Sequence, residues 1–294
     1  MNLPTVRVVA HSVNDNGVEM VSVETDYQRF FHSEVMTHRA LAKNAASSRA
    51  IPTKKLLDVV RNNPAMPVRF GANQGGMQDT GQNIDDVAAA ESLWREMANF
   101  VADKVEAAHK LNGHKQWVNR PLEPFLPIST VITGNVGIPG YGWDNLFDLR
   151  ADAPAQPEFY NLAVAIRDAI KASTPRPISW GDWHLPYVNQ DLYHLPVRQQ
   201  CLVSAARVAR KSYFWVPDKS IEEDIAFAED LIKHRHMSPF DQIARAEVIS
   251  PPSPNKATAQ IVAWLEGKSP CPPWADVRHL RGWKPLRAFI ENGE

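Results

Sequence analysis

Between Asp85 and His109, apolar side chains recur at helical spacing. The run comprises Val87, Ala90, Trp94, Met97, Val101, Val105 and Ala108. Apolar residues three or four positions apart lie on one face of an α-helix, and Gly113 follows where a C-terminal cap belongs. The spacing therefore predicts a long amphipathic helix with one face packed against a core.

Two apolar segments, residues 5–10 and 18–25, flank Asn14-Asp15-Asn16-Gly17, a sequence typical of a β-hairpin turn. Further helices are predicted at residues 27–43, 158–172, 197–211, 221–234 and 257–267. The segments 121–142 and 249–274 are rich in Pro and Gly and are predicted to be loops. These elements favour one mixed α/β domain over residues 1–294, of the α+β type, with an antiparallel sheet and helices.

Charge and composition exclude several classes of protein. The 294 residues include 32 Lys and Arg and 33 Asp and Glu, a net charge of -1, so we expect no nucleic-acid partner. No segment approaches the roughly 18 apolar residues that a membrane span needs, and no basic segment followed by an apolar run opens the chain. We therefore expect a cytoplasmic protein that does not bind membranes. Only two cysteines occur, outside any CxxC pair, so neither a disulfide nor structural zinc is expected.

The first segment with chemical potential is residues 37–49, in which cations and hydroxyls alternate over a short stretch. His38 and Arg39 come first, and Ser47, Ser48 and Arg49 follow. Hydroxyl and guanidinium donors suit a phosphate monoester, since Arg can bind two phosphate oxygens at once. A solvated basic helix end is the alternative interpretation of His38 or Arg39 taken alone.

This segment resembles the signature of flavin-dependent thymidylate synthases, which runs Arg-His-Arg, seven variable residues, Ser, and Arg two positions later. His38, Arg39, Ser47 and Arg49 keep that spacing, whereas Thr37 replaces the first Arg and Ala45 replaces an acidic residue. Residues 143–159 resemble the family's Asn-Phe-x-x-Leu-Arg block and the Ala-Gln-x-Glu-Ile block that follows it.

Two later segments, residues 206–213 and 231–242, are similar to the family's amino-terminal region, but here they come last. Residues 280–283 add a weaker similarity to phage-type relatives. The resemblance implies a single, circularly permuted domain with the thymidylate-synthase-complementing-protein fold. Residues 1–175 would hold the signature and the Leu-Arg block, and residues 195–294 would hold the family's amino-terminal region.

In this family, reduced flavin supplies a hydride, and NADPH and 5,10-methylenetetrahydrofolate are co-substrates. The resemblance implies that FAD is bound by His38, Arg39, Asn44, Asn145, Asp148, Arg150, Ser212, His236 and Ser238. It implies that Ser47, Ser48 and Arg49 hold the phosphate of a pyrimidine deoxynucleoside monophosphate. It also implies a homotetramer with active sites shared between subunits. For Arg150, a salt bridge with Asp152 or Glu158 is the purely structural alternative.

One departure bears on the substrate. The family's Arg beside the uracil ring is Tyr160 here, so Tyr160 and Asn161 become the candidate catalytic residues. A cytosine ring has no N3 proton to lose, and a neutral partner could suit it. The sequence favours dUMP and dCMP almost equally as the substrate, with a slight preference for dUMP because it is the usual substrate of the family. It also leaves hydroxymethylation open as the reaction. Arg167 or Arg120 could also replace the missing charge.

Several other functions remain as alternatives. The arginines missing at positions 37 and 160 would also fit an inactive relative that only binds flavin or nucleotide. The basic residues of 205–211 and 233–235 could contact nucleic acid, which the near-neutral charge disfavours. His234 and His236 lack accompanying Cys or acidic ligands, so no metal is expected. Cys201 falls on a predicted apolar helix face, where an inert thiol is the default.

Overall fold

A five-stranded sheet forms the centre of the computed structural model, which describes residues 3–76, 81–212, 219–247, 259–260, 262–263, 265–269 and 280–293. Its strands are β1 (Thr5–Val13), β2 (Glu19–Gln28), β3 (Ala42–Ala45), β4 (Pro127–Val136) and β5 (Arg176–Pro177). The strand order is β3-β4-β2-β1-β5, and all neighbours are antiparallel except the pair β1 and β5. This order makes β3 an edge strand.

The predicted hairpin between β1 and β2 is confirmed. The Oδ1 atom of Asn14 accepts from the backbone N–H groups of Asn16 at 3.1 Å and Val18 at 3.0 Å. Gly17 has a φ of 72°, a left-handed conformation that glycine adopts without steric cost. The turn residues therefore fix the register of the first two strands.

Nine α-helices are described: α1 (His32–Met36), α2 (Thr53–Asn62), α3 (Val87–Lys110), α4 (Lys115–Val118), α5 (Gly142–Arg150), α6 (Pro157–Ala172), α7 (Val197–Arg210), α8 (Ile221–Lys233) and α9 (Leu286–Asn292). The predicted helices at 85–109, 158–172, 197–211 and 221–234 are confirmed. Asp86 caps α3 by accepting from Ala89 N–H at 2.9 Å. Ser220 and Glu223 form a reciprocal capping box at the start of α8.

The helices cover both faces of the sheet. Trp143 of α5 and Phe159 of α6 are fully buried against Val23 and Ile132 on one face. Paired residues of neighbouring strands point to the same face, so Lys43, opposite Ile132, belongs to this face too. Asn44 points the other way, toward α7, where its side chain reaches Val208. The two faces of β3 therefore face different parts of the molecule, α5 and α6 on one side and α7 on the other.

A second, three-stranded sheet joins distant parts of the chain: β6 (Trp183–His184), β7 (Ala244–Ala246) and β8 (Trp283–Pro285), in the order β6-β7-β8. The buried His184 ring links it to the first sheet through Ser22 at 2.8 Å and Ser12 at 2.9 Å. Burial, and then the charge of Arg176, lower the pKa of His184 to about 3. His184 is therefore a neutral structural linker.

Two predictions of secondary structure are wrong. Residues 27–43 do not form one helix: Tyr27 and Gln28 end β2, a 3-10 turn covers Arg29–Phe31, and α1 has only five residues. Residues 121–142 are not a loop, because β4 pairs with both β2 and β3. β4 is buried on both faces although it contains Thr130, Thr133 and Asn135, so neither an apolar run nor an alternation of apolar and polar residues marks it in the sequence. Glycine suits position 134 of β4, because the Cβ atom of any other residue would lie 2.3 Å from Leu41 Cδ2.

The predicted fold class, α+β with an antiparallel sheet and helices, is confirmed. The predictions for 257–267 and 249–274 fall largely outside the described residues. In the part of the chain that the structure describes, no helix combines the length and apolar character needed to cross a bilayer.

Candidate active site

Asn44 on the edge strand β3 ties three distant segments together. Its Nδ2 atom donates to Ser212 Oγ at 2.7 Å and to the carbonyl of Val208 at 3.0 Å. Its Oδ1 atom accepts from Ser238 Oγ at 3.0 Å. Asn44 is buried, so each of these bonds satisfies a group that water reaches poorly. The predicted residues Asn44, Ser212 and Ser238 are therefore direct neighbours.

A pocket of about 420 Å³ opens beside this junction. Its polar lining includes Asn44, Ser47, Arg49, Ser212, His236 and Ser238, and its apolar lining includes Ala209, Leu231 and Pro239. Ligand sites in proteins fall at roughly 300–1,000 Å³ and combine an apolar wall with a few polar groups. The pocket has that composition, and six of the residues predicted from the sequence line it. We call it the Asn44 pocket.

Arg49 and Ser47 bring open hydrogen-bond donors to the Asn44 pocket. Arg49 is exposed, and among the described residues neither side chain makes a hydrogen bond or an ion pair. A guanidinium and a hydroxyl without partners are available to an anion. The chemistry that this corner offers is recognition of a phosphate or carboxylate.

The turn that carries Ser47 and Arg49 is held from beneath by Asn119, which is fully buried. Its Nδ2 atom donates to the carbonyls of Ser48 at 2.8 Å and Ile51 at 3.0 Å. Its Oδ1 atom accepts from Thr53 Oγ1 at 2.7 Å. These bonds fix the 3-10 turn Ser48–Ala50 at the start of α2.

Glu123 holds the same turn through a side chain. Its Oε1 atom accepts from Ser48 Oγ, from Arg29 Nη2 at 3.0 Å and from Arg120 Nη1 at 2.9 Å. Ser48 is 1% exposed and does not line the Asn44 pocket. Within one chain, the hydroxyl of Ser48 thus serves the turn, while those of Ser47, Ser212 and Ser238 face the pocket or its border.

The cap at the C-terminal end of α8 positions His236 and Ser238 in the lining of the Asn44 pocket. Arg235 has a φ of 58°, and its N–H donates to the carbonyl of Ile232 at 3.0 Å, while the N–H of His236 donates to that of Leu231 at 2.9 Å. These two bonds define a Schellman cap, which usually has Gly at the left-handed position. The cap reverses the chain and directs His236 and Ser238 toward β3.

His38 and Arg150 lie together in a second group, on the α6 side of β3. Arg150 Nε donates to His38 Nε2 at 3.3 Å, and the guanidinium carbon lies 4.9 Å from the centre of the Phe159 ring. The His38 ring meets Phe159 edge-on at 5.5 Å. Because His38 Nε2 accepts, the proton of the neutral ring is assigned to Nδ1. We call this group the His38 cluster.

Burial acts differently on the two titrating groups of the His38 cluster. Burial, then Arg150 and Lys43, lower the pKa of His38 to about 4, so the ring is neutral at pH 7. Burial lowers the pKa of Lys43 to about 8, which leaves most of its positive charge at pH 7. Lys43 Nζ donates to the carbonyls of His38 and of Leu41, the latter at 3.0 Å. The cluster therefore contains a neutral imidazole beside two cations, Arg150 and Lys43.

The remaining predicted site residues lie near the His38 cluster or on the surface, and none lines the Asn44 pocket. Asn145 and Asp148 belong to α5, half-buried and exposed respectively. Tyr160 is 36% exposed and Asn161 is half-buried, both on α6. Arg39 is exposed. Within one chain the fold thus joins Asn44, Ser47 and Arg49 to the last predicted segment, whereas Arg150 and Phe159 contact His38 on the other side of β3.

Cys201 is not poised for nucleophilic chemistry. It is buried on α7, and burial raises the pKa of its thiol to about 12. Cys271 lies outside the described residues. Among those that are described, no three His, Cys, Asp or Glu side chains are grouped to hold a metal ion.

The chain is similar to known proteins in structure but not in sequence. No protein-family model matches the chain, and no curated protein matches it significantly. The UMP/dUMP methylase PolB from Streptomyces cacaoi, bound with 5-Br dUMP, is similar over 58% of this chain and 90% of its own, at 12% identity and a TM-score of 0.46. Thymidylate Synthase X from Helicobacter pylori, with FAD and dUMP, is similar over 51% of this chain and 67% of its own, at 15% identity and a TM-score of 0.34.

Both likenesses concern the arrangement of elements over about half of the chain.

Sequence patterns do not indicate three groups that shape the site: Asn119, Glu123 and Lys43. Glu123 falls in a segment predicted to be a loop, Asn119 falls just before it, and nothing in their spacing from Ser48 marks a contact. Lys43 lies within residues 37–49, but no position of the resembled signature falls on it. The pairing of β3 with β4 is what reveals that Lys43 and Asn44 face opposite sides of the sheet.

Proposed function

We propose that this chain transfers a one-carbon unit from 5,10-methylenetetrahydrofolate to C5 of a pyrimidine deoxynucleoside monophosphate, in a reaction that depends on FAD and NADPH. One observation carries the proposal. Ser47 and Arg49 from the first signature segment meet Ser212, His236 and Ser238 from the last one around a single pocket. Both segments were selected from the sequence because they resemble the same family of enzymes.

The nucleotide phosphate is assigned to Arg49 and Ser47. Neither donor has a partner in the part of the chain that the structure describes, and a guanidinium can bind two phosphate oxygens in parallel. Asn119 and Glu123 hold the turn beneath them, so little ordering is needed when the anion binds. Ser48 contributes through Glu123 rather than by direct contact.

The flavin is assigned to the other part of the pocket, and the residues there fit it. A planar ring with polar edges needs apolar contact on its faces and hydrogen-bonding groups at its rim. Ala209, Leu231 and Pro239 supply the apolar wall, and Ser212, His236 and Ser238 supply the polar groups. When bound, FAD would supply the hydride that completes the new methyl group. The protein's own task is to position and polarise.

The His38 cluster is assigned to the same chemistry through a second subunit. It lies on the other side of β3 from the Asn44 pocket, so one chain alone cannot bring the two together. We therefore propose a homotetramer in which active sites are shared between subunits. Arg39 and Arg150, with Asn145 and Asp148, would then complete a flavin site that another chain begins.

Either dUMP or dCMP fits the proposed substrate class. Tyr160 and Asn161 are neutral side chains at the start of α6, with Tyr160 exposed at the surface. A neutral group can donate to a cytosine ring or accept from a uracil ring. We assign these two residues to contact with the base across the shared site.

We also propose that residues 1–294 form one permuted domain. Its support is the bonding between the halves: Asn44 reaches Ser212 and Ser238, and Asn135 Nδ2 donates to the carbonyl of Arg281 at 3.0 Å. A chain reordered by permutation should retain such contacts across its old termini.

The test is a mass-spectrometric assay that offers dUMP and dCMP side by side with 5,10-methylenetetrahydrofolate and NADPH. We expect a gain of one methyl group on one nucleotide, with the purified protein binding FAD. A product carrying a hydroxymethyl group would redirect the proposal to a C5 hydroxymethylase. A protein that binds FAD or nucleotide without turnover would be an inactive binding relative, which the missing arginines at Thr37 and Tyr160 favour.

A further inference from the structure

The solvent side of α3 and the residue that caps it carry a second row, largely apolar, that the core does not use. The row consists of Leu93, Met97, Phe100, Ala107 and the capping Leu111, with the charged Lys104 at its centre, in alternating steps of four and three residues. Leu93 is 58% exposed, Met97 49%, Phe100 61% and Leu111 85%. We call this row the α3 stripe. Large apolar side chains that are exposed in a continuous row mark an interaction surface.

The α3 stripe is distinct from the face of α3 that the fold buries. Ala98, Ala102 and Val105 are buried against α2 and its neighbours, and Trp94 packs beside them. That buried face accounts for most of the apolar periodicity seen in the sequence. Met97 is the exception, since the sequence analysis placed it in the core-facing stripe and the structure exposes it. The exposed row needs a different partner.

The shape of the row indicates the kind of partner. Its five steps, of four, three, four, three and four residues, total 18 and average 3.6, so the row stays on one side of α3 along most of the helix. Steps of four and three are also those of the seam between two packed helices. A second helix that runs alongside α3 matches a row of this shape.

The charges beside the α3 stripe indicate which helix. Glu96 and Lys110 flank it on one edge, and both are exposed. Lys110 Nζ lies 3.6 Å from Glu106 Oε1 within the chain, a long contact that leaves its side chain 73% exposed and able to meet a second carboxylate. The central charge on this edge, Asp103, is already paired with Arg61 at 2.9 Å. If a second α3 packs antiparallel about a two-fold axis, Glu96 of each copy meets Lys110 of the other. A parallel pair would instead place like charges at the same level.

We propose that α3 pairs antiparallel with α3 of a second copy of this chain. In this register Leu93 meets Leu111 of the second copy, Met97 meets Ala107, and Phe100 meets Lys104. The last pair repeats a contact already present within the chain, where Lys104 Nζ lies 5.1 Å from the centre of the Phe100 ring. A two-fold interface of this kind is closed and self-complementary.

Disulfide cross-linking tests the direction and register of the pair. In a Cys271→Ser background, the double variant Met97→Cys/Ala107→Cys should give a covalent dimer on mild oxidation. Residues 97 and 107 lie roughly 15 Å apart along one helix, so the bond can form only between copies. Met97→Cys alone should remain unlinked, as should Arg95→Cys on the polar side of α3. A single variant that links as fully as the double, or a double that links no more than the background, would overturn the proposal.

Charge exchange gives an independent test in solution. Glu96→Lys and Lys110→Glu should each raise the dissociation constant for self-association at least tenfold, measured by sedimentation at several concentrations. The double variant Glu96→Lys/Lys110→Glu should restore it to within about threefold of the native value, since opposite charges meet again. Circular dichroism would verify that every variant remains helical. A native protein that stays monomeric at all concentrations, or a double variant weaker than both singles, would contradict the proposal. Neither experiment depends on flavin or nucleotide, so the two proposals can fail separately. Charge variants that leave self-association unchanged would overturn the α3 pairing and leave the proposed shared site intact, whereas a protein that stays monomeric would contradict both proposals.

Discussion

The Asn44 pocket and the His38 cluster stand on opposite sides of one short strand, and they differ in how their polar groups are satisfied. In the pocket, the side chains of Arg49 and Ser47 make no hydrogen bond or ion pair with the described residues. In the cluster, Arg150 donates to His38 and stacks on Phe159, and Lys43 donates to two backbone carbonyls. Donors without a described partner are available to a ligand, whereas the polar groups of the cluster are already engaged within the chain. Substitutions in the Asn44 pocket and in the His38 cluster test the two parts of this comparison separately.

The largest effect is expected at Arg49. Arg49→Ala should lower nucleotide turnover at least a hundredfold, because it removes the only cation lining the described pocket apart from a protonated His236. FAD absorbance of the purified protein should remain, since the flavin wall is unchanged. Arg95→Ala, an exposed arginine on α3, is the matched control and should keep native turnover. Equal turnover by both variants would remove Arg49 from the site.

The next effect concerns the junction under the pocket. Asn44→Ala leaves the Val208 carbonyl without its side-chain donor and separates Ser212 from Ser238. Loss of partners by buried polar groups costs about 1–3 kcal/mol, which urea unfolding should detect. Asn99→Ala, exposed on α3, should cost less than about 0.5 kcal/mol. If the two variants were equally stable, Asn44 would not be a structural junction.

The His38 cluster should reveal itself through pH. The pKa of His38 is lowered to about 4 in the fold, so between pH 6.5 and 4 the unfolded chain binds a proton that the folded chain does not. The free energy of unfolding must therefore fall as pH falls through this window. His32 and His184, with pKa values near 4 and 3, act in the same direction.

The contribution of His38 can be isolated by substitution. His38→Gln keeps an acceptor for Arg150 and removes the titrating group, so the slope of stability against pH between 5 and 6 should decrease by about one proton. Unfolding in urea at several pH values measures this slope. Asn99→Gln, an exposed substitution on α3 that involves no titrating group, serves as control and should leave the slope unchanged. An unaltered slope in His38→Gln would mean that His38 already carries a proton in the fold.

The smallest effect is expected at the cap of α8. Arg235 adopts a left-handed conformation that costs a residue with a Cβ about 1 kcal/mol relative to glycine. Arg235→Gly should thus raise the melting temperature by a few degrees and keep His236 and Ser238 in place. Arg198→Gly, within α7, is the reverse control and should lower it. Destabilisation by Arg235→Gly would show that its guanidinium has a role of its own.

Sequence patterns predicted those parts of the molecule whose physics is local. The hairpin turn at Asn14 and Gly17 and the long helices follow from turn chemistry and a 3.6-residue period. The strands β3 and β4 were not predicted, because β4 is buried on both faces and β3 has only four residues. Residues of the site were predicted by spacing within each motif. The sequence did not indicate that these residues lie on two sides of β3, or that Asn119 and Glu123 support the turn before α2. Both features depend on contacts between segments far apart in the chain, which a single sequence does not reveal.

A crystal structure of the protein with FAD and either dUMP or dCMP would test the central claim most directly. The account predicts the 5′-phosphate oxygens within about 3 Å of the Arg49 guanidinium and the Ser47 hydroxyl, with the flavin ring against Ala209 and Pro239. A nucleotide whose phosphate instead binds Arg150 and leaves Arg49 in solvent would contradict it.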